Sequence, residues 1–163
     1  MRRRLVFIKF VYDTLTYCLD IVGFRWVPEE YPLGEYRGYF RNKYGDYVLL
    51  YRNANDETYR KIIRKVPHKI LLQEMTLLQF IQSGANLCFD GLLMEGIFRL
   101  CAFLVDTSIF CFRYHRPYLI EISVCPCIGF VYDLYLKSMF KGRDNSIWRD
   151  ILIKSIEMVE NEE

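Results

Sequence analysis

The chain has 163 residues, of which 52% are hydrophobic and 26% are charged, and this balance excludes a disordered chain. Its 22 basic and 20 acidic residues give a net charge of +2, so we expect no general attraction to nucleic acid. The length suits one domain with a sizeable core, which we predict to span residues 1–163.

The first predicted element is a helix over residues 5–22, because its apolar residues recur at helical spacing. Gly23 follows it, where a left-handed backbone conformation costs glycine little. We expect Phe24 and Trp26 to fold back onto the helices. The next stretch is rich in Pro, Gly and Tyr and is predicted to be a loop.

Two more helices are predicted over residues 47–64 and 70–89, with Pro67 between them. Ser83 and Gly84 are a predicted weak point of the later helix. The predicted inner faces consist of Tyr47, Leu50, Tyr51, Ala54, Thr58 and Ile62 in one helix and of Leu71, Met75, Leu78, Gln82 and Leu87 in the other.

Residues 95–112 form the most apolar stretch, with Glu95, Arg99 and Asp106 as its only charges. A helix that is apolar nearly all round is either buried in a core or crosses a membrane. This stretch is near the lower length limit for crossing, and two charges inside it would be costly in lipid. We therefore predict a buried central helix with the other helices packed around it.

The remaining chain gives a mixed pattern. Residues 118–124 alternate between apolar and polar, which favours a strand, and Pro126 is expected to prevent a smooth helix. A helix is predicted over 128–140, and a last helix near Trp148, capped by Asn145 or Ser146. The predicted fold class is all-α, with six or seven helices around the buried one.

No catalytic motif and no metal-ligand spacing is present, so we expect neither enzymatic activity nor a cofactor. The six cysteines lie in mostly apolar surroundings and, without a signal-peptide pattern, indicate a reducing compartment and a cytoplasmic location. Asp13, Asp106 and Asp133 lie in apolar helices, and each is expected to be a paired structural carboxylate.

The segment YDTLTYCLDIVGFRW, at residues 12–26, resembles the amino-terminal homology region of pro-survival members of the Bcl-2 family. The matching residues are Asp13, Leu15, Thr16, Tyr17, Leu19, Gly23, Phe24 and Trp26. Asp56 and Glu57 resemble the acidic pair of the third homology motif, although Tyr51 and Asn55 stand where Leu and Gly are usual.

The other two homology regions are degraded. Gly96 and Arg99 resemble the Gly-Arg of the first region, but two residues stand between them and the usual Trp is missing. Ser146 and Trp148 keep the polar cap and the Trp of the second region without its glycines.

The resemblance implies a Bcl-2-like helical bundle with a surface groove that binds the amphipathic Bcl-2-homology-3 helix of pro-apoptotic proteins. Arg99 would pair with the Asp of that helix. The groove residues that the resemblance implies are Thr58, Ile62, Val66, Leu87, Gly96, Arg99, Phe103 and Ile151. It also implies association with the mitochondrial outer membrane or the endoplasmic reticulum if a tail anchor accompanies the domain. A pro-apoptotic member and a viral-type bundle that binds signalling adaptors stay open as alternatives.

Overall fold

Every regular element that the structure describes is a helix, in agreement with the predicted all-α class. The computed structural model describes residues 2–28, 38–90, 93–141 and 146–162. The helices are α1 (Arg2–Ile21), α2 (Asn42–Ala54), α3 (Asp56–Arg64), α4 (His68–Leu71), α5 (Glu74–Cys88), α6 (Leu93–Arg113), α7 (Cys125–Val131), α8 (Lys137–Phe140) and α9 (Ser146–Glu162). Two π-helical turns, Ile120–Val124 and Tyr132–Leu136, lie on either side of α7.

Helix α6 is the buried central helix that the sequence predicts. Leu100, Ala102 and Leu104 are fully buried, and α1, α2, α5 and α9 all pack against the helix. Apolar burial on all sides is the main stabilising contribution that such a helix makes to a bundle. Over the described residues, no helix combines the length and the apolar character needed to cross a membrane.

The end of α1 has the predicted geometry. Gly23 has φ +98°, and the amide of Phe24 donates a 2.8 Å hydrogen bond to the carbonyl of Leu19. This pattern caps the last carbonyls of a helix and requires the left-handed residue. Phe24 then stacks on Phe112 and Trp26 packs against Tyr12, so both aromatic residues fold back as predicted. Residues 29–37 of the predicted loop that follows lie outside the described residues, and its last part, from Asn42 onward, is helical.

The predicted helix over 47–64 is wrong in two respects, because it begins earlier, at Asn42, and because the chain forms two helices that meet at Asn55. The Asn55 backbone leaves helical geometry at φ −112°, and its side-chain amide donates a 2.9 Å hydrogen bond to the carbonyl of Tyr51. Asparagine side chains compete for backbone groups in this way and favour helix ends. The interruption also changes the inner face: Ala54 and Thr58 are exposed, while Tyr59 is buried.

The predicted helix over 70–89 is interrupted at residues 72–73 rather than at Ser83 and Gly84. Its predicted inner face is also wrong, since Met75 and Leu87 are exposed. The buried residues of α5 include Leu77, Ile81, Gly84 and Ala85. Gly84 and Ala85 are small and let α5 approach α6 closely. The prediction instead placed the larger residues Met75 and Leu87 inside.

The strand prediction for residues 118–124 is wrong. Ile120–Val124 is a wide helical turn, and the amide of Cys125 bonds to the carbonyl of Ile120, five residues back. Burial follows helical spacing through Ile120, Val124 and Ile128. The expectation that Pro126 prevents a helix is wrong for a related reason, because Pro126 lies in the first turn of α7, where its missing amide is tolerated.

The last helix begins at Ser146, one of the two predicted caps; Asn145, the other, lies outside the described residues. Ile151, Ser155 and Met158 form its buried face. Trp148 anchors the helix in an aromatic cluster, since its ring packs against Phe10 at 4.8 Å between centroids. The packing of this Trp gives α9 a fixed position beside α1 and α2.

Candidate functional site

The residues implied to form the groove come from four helices or their ends. On α3, Thr58 is exposed and Ile62 is half-buried, and Val66, just beyond that helix, is also half-buried. On α5, Leu87 is 67% exposed. Helices α3 and α5, which carry these side chains, both pack on α6.

Three of the implied groove residues lie inside the protein. Gly96 is buried, and Phe103 and Ile151 are almost fully buried. The ring of Phe103 packs against Phe80 and lies where the Cβ of any larger residue at position 84 would be. A ligand helix would reach these three residues only if neighbouring side chains moved.

Arg99 is 32% exposed but already carries an intramolecular partner. Its Nη2 donates a 2.9 Å hydrogen bond to Oε2 of Glu95, one helical turn earlier. Oε1 of the same carboxylate lies 3.2 Å from Nζ of Lys154 on α9. The i, i+4 spacing of Glu95 and Arg99 is visible in the sequence, whereas the approach of Lys154 depends on tertiary packing.

The Arg99 side chain lies at the junction of three helices. Cys88 lies at the end of α5, and burial raises the pKa of its thiol. The positive charge of Arg99 opposes this rise but is the smaller effect. Glu95 and Lys154 connect Arg99 to α9. A carboxylate arriving from a partner would therefore compete with Glu95 for the guanidinium.

All three carboxylates that we predicted to be structural are paired. Asp13 lies 3.4 Å from Lys9, and Asp133 lies 3.0 Å from Arg4. Asp106 accepts a 2.9 Å hydrogen bond from Nε of Arg52 and is only 7% exposed. Burial raises the pKa of Asp106, and the Arg52 guanidinium lowers it. The sequence analysis predicts that each of these carboxylates is paired but identifies none of the three partners.

Tyr51, which stands where the third homology motif usually has Leu, is buried. Its ring packs against Phe98 of α6 with 5.2 Å between centroids. The aromatic side chain therefore fixes the end of α2 to the central helix. Within the described ranges, no three His, Cys, Asp or Glu side chains lie together where they could hold a metal ion.

Comparisons with known proteins add no relative to this description. No protein-family model, no curated protein and no solved structure matches the chain. The sequence motifs and the geometry of these side chains are therefore the basis for a functional proposal.

Proposed function

We propose that the protein is a pro-survival regulator of apoptosis that binds the Bcl-2-homology-3 helix of pro-apoptotic partners. The observation that carries the proposal is Arg99: a partly exposed arginine near the start of a buried central helix, close to the end of α5 where Leu87 is exposed. The amino-terminal motif supports it, since Gly23 has the left-handed conformation that ends α1 and Trp26 is buried against the bundle.

The physical basis of such binding is burial of an apolar stripe together with one charged contact. Helix-in-groove recognition, for which this family is a familiar example, reads residues at i, i+3/i+4 and i+7 of the ligand. Each large apolar ligand side chain that is buried contributes roughly 1.5–3 kcal/mol. Ile62, Val66 and Leu87 offer accessible apolar surface, and Arg99 offers a charge-assisted hydrogen bond.

The proposal is tested by titrating the protein with a panel of death-motif peptides by calorimetry. We expect nanomolar binding of at least one peptide and a weakening of about tenfold or more for Arg99→Ala, since that change removes a charge-assisted bond. Arg25→Ala, at another exposed arginine, is the control and should leave the affinity unchanged. Equal affinities for Arg99→Ala and the original protein would reject Arg99 as the anchor.

A second variant tests the role of the intramolecular carboxylate. Because Glu95 competes with the ligand for Arg99, Glu95→Gln should strengthen peptide binding by roughly two- to fivefold, as expected for a partly exposed ion pair. Weaker binding in Glu95→Gln would show that Glu95 instead holds Arg99 in its binding orientation.

A viral-type bundle that binds signalling adaptors is the second candidate function. The burial of Phe103 and Ile151 and the neutralisation of Arg99 by Glu95 favour it, because they fill and neutralise the region where a ligand helix would lie. No detectable binding of any death-motif peptide would favour this function. The pro-apoptotic alternative requires α2 to leave the bundle, which the packing of Tyr51 on Phe98 opposes.

A further inference from the structure

A second concave site lies between α3 and α6, beside the end of α2. It is a cavity of about 230 Å³ whose wall includes Arg52 and Asp106. On α3, the cavity is lined by Asp56, Arg60 and Arg64, which lie on the opposite side of the helix from Thr58 and Ile62. The cavity is therefore distinct from the proposed groove, and the inference below does not depend on the proposed function.

The cavity carries more positive than negative charge. The charged residues in its lining are Arg52, Arg60, Arg64, Arg113, Asp56 and Asp106. Both carboxylates are held by arginines of the same set, Asp106 at 2.9 Å from Arg52 and Asp56 at 3.0 Å from Arg60. Four guanidinium groups against two carboxylates leave a surplus of two positive charges.

Arg64 and Arg113 carry that surplus on opposite walls, one on α3 and one at the end of α6. Arg64 Nη1 forms a solvent-exposed ion pair with Oε1 of Glu57 at 4.0 Å, which is longer than a hydrogen bond, and Glu57 does not line the cavity. Arg113 lines the cavity together with Asp106, and its charge lowers the pKa of that carboxyl. The Tyr114 hydroxyl and the His68 ring, hydrogen-bonded to each other, complete the rim.

We propose that this cavity binds a phosphate monoester, with Arg64 and Arg113 as its main contacts. The planar guanidinium fork matches phosphate oxygens and forms charge-assisted, bidentate hydrogen bonds. A dianion balances the surplus of two charges, whereas a single carboxylate would leave one of them uncompensated. The volume is below the roughly 300–1,000 Å³ of sites for drug-sized ligands, and a phosphate group needs less room.

The test is a titration of the protein with inorganic phosphate, followed by backbone amide NMR signals, with acetate at matched ionic strength as the comparison anion. We expect saturable shifts confined to α3 and the end of α6 with phosphate, and much weaker shifts with acetate. The double variant Arg64→Gln, Arg113→Gln should weaken phosphate binding by about tenfold or more. The control Arg25→Gln, Arg149→Gln removes the same charge outside the cavity and should bind as the original protein does.

The source of the phosphate is distinguished by a second arm with vesicles. Phosphatidic acid carries a monoester headgroup, so vesicles of phosphatidylcholine with and without phosphatidic acid separate a lipid ligand from a free one. If the protein binds phosphatidic acid vesicles and the double variant does not, the ligand is a lipid headgroup. If the protein binds inorganic phosphate but not the vesicles, the ligand is a free phosphate compound. Absence of both, or equal phosphate affinity in the double variant, would overturn the proposal. If the double variant fails to fold by thermal denaturation, Arg64→Gln alone provides the test, because this side chain is 64% exposed.

Discussion

The ion pair between Arg52 and Asp106 joins α2 to the middle of the central helix. Both side chains are largely buried, and Nε of Arg52 lies 2.9 Å from Oδ1 of Asp106. Transferring two charges out of water is costly, so such a pair adds little net stability, but removal of one partner leaves a buried, uncompensated charge. The pair therefore determines how α2 is placed more than how stable the fold is.

Replacement of Arg52 by Met should lower the free energy of unfolding by about 3–5 kcal/mol near neutral pH, because Asp106 then stays buried without a partner. Urea denaturation measures this change. The double variant Arg52→Met, Asp106→Asn is the control and should recover part of the loss. A loss below about 1 kcal/mol in the single variant would show that water reaches Asp106.

The same variant should change how stability depends on pH. Burial holds the pKa of Asp106 above its ordinary value of 3.8, so the folded state binds this proton more tightly than the unfolded state does. The stability contributed by that proton is present below pH 3.8 and is lost as the pH rises through the folded pKa. Without Arg52 the folded pKa is higher still, so the loss of stability with rising pH should extend to higher pH in Arg52→Met than in the original protein. Loss that ends at the same pH in both proteins would contradict the assignment.

Gly23 is the one described glycine whose backbone requires a left-handed conformation. Its Cβ position is open, so Gly23→Ala tests backbone strain without a steric clash. We expect a loss of roughly 1 kcal/mol in the free energy of unfolding, and a smaller loss for Gly23→Asn, because Asn tolerates this conformation better. Equal stabilities of the Ala and Asn variants would indicate that the turn relaxes.

Helices α5 and α6 pack closely because a glycine faces an aromatic ring. An ideal Cβ on Gly84 would lie 2.3 Å from Cζ of Phe103, far inside normal contact distance. Phe103 is buried and also packs against Phe80 of α5, so its ring has little room to move. This contact therefore determines how closely α5 and α6 approach each other.

Gly84→Ala should therefore destabilise the protein by about 1–3 kcal/mol through overpacking, despite the higher helix propensity of Ala. Ser83→Ala, at the exposed neighbouring position, is the matched control and should change stability by less than about 0.5 kcal/mol. In the Phe103→Leu background the Gly84→Ala change should cost less, since the smaller side chain makes room. A stabilising effect of Gly84→Ala in the original protein would contradict this packing.

All six cysteines are free and buried, and they are distributed through the core from α1 to α7. Burial raises the pKa of Cys101, Cys111 and Cys127 to about 12, so little reactive thiolate forms near neutral pH. Reaction of these thiols with a reagent therefore requires the bundle to open and expose its core.

In the native state, we expect none of the six thiols to react with Ellman's reagent within minutes at about pH 8, and all six to react in denaturant. Ser83→Cys places a thiol at an exposed position and is the positive control. Immediate reaction of one thiol in the original protein would show that a cysteine side chain is accessible.

The sequence predicts the bundle well where one physical signal dominates. Helix α6 is identified because no surface helix could carry so few polar residues, and the end of α1 because only glycine favours its conformation. The predictions fail where tertiary contacts override periodicity: Gly84 is buried by the approach of Phe103, and residues 118–124 join a helix because their neighbours cover Ile120 and Val124.

The candidate sites show the same limit. The i, i+4 pairs Glu95–Arg99 and Asp56–Arg60 can be identified from spacing and are both present in the structure. The approach of Lys154 to Glu95, and of Arg113 to the cavity beside α3, joins residues that are far apart in the chain. Local patterns contain no information about such contacts.

The π-helical turn Tyr132–Leu136 has a consequence for changes in chain length. A wide turn holds one residue more than an α-helical turn, and the amide of Lys137 bonds to the carbonyl of Tyr132 across it. Deleting a residue from an ordinary helix rotates every later side chain by about 100° and buries the wrong ones. Deletion of the exposed Leu134 would instead let this turn contract, with Leu136 and Phe140 still directed inward. This segment is therefore a position at which the protein can be shortened without rearranging its interior.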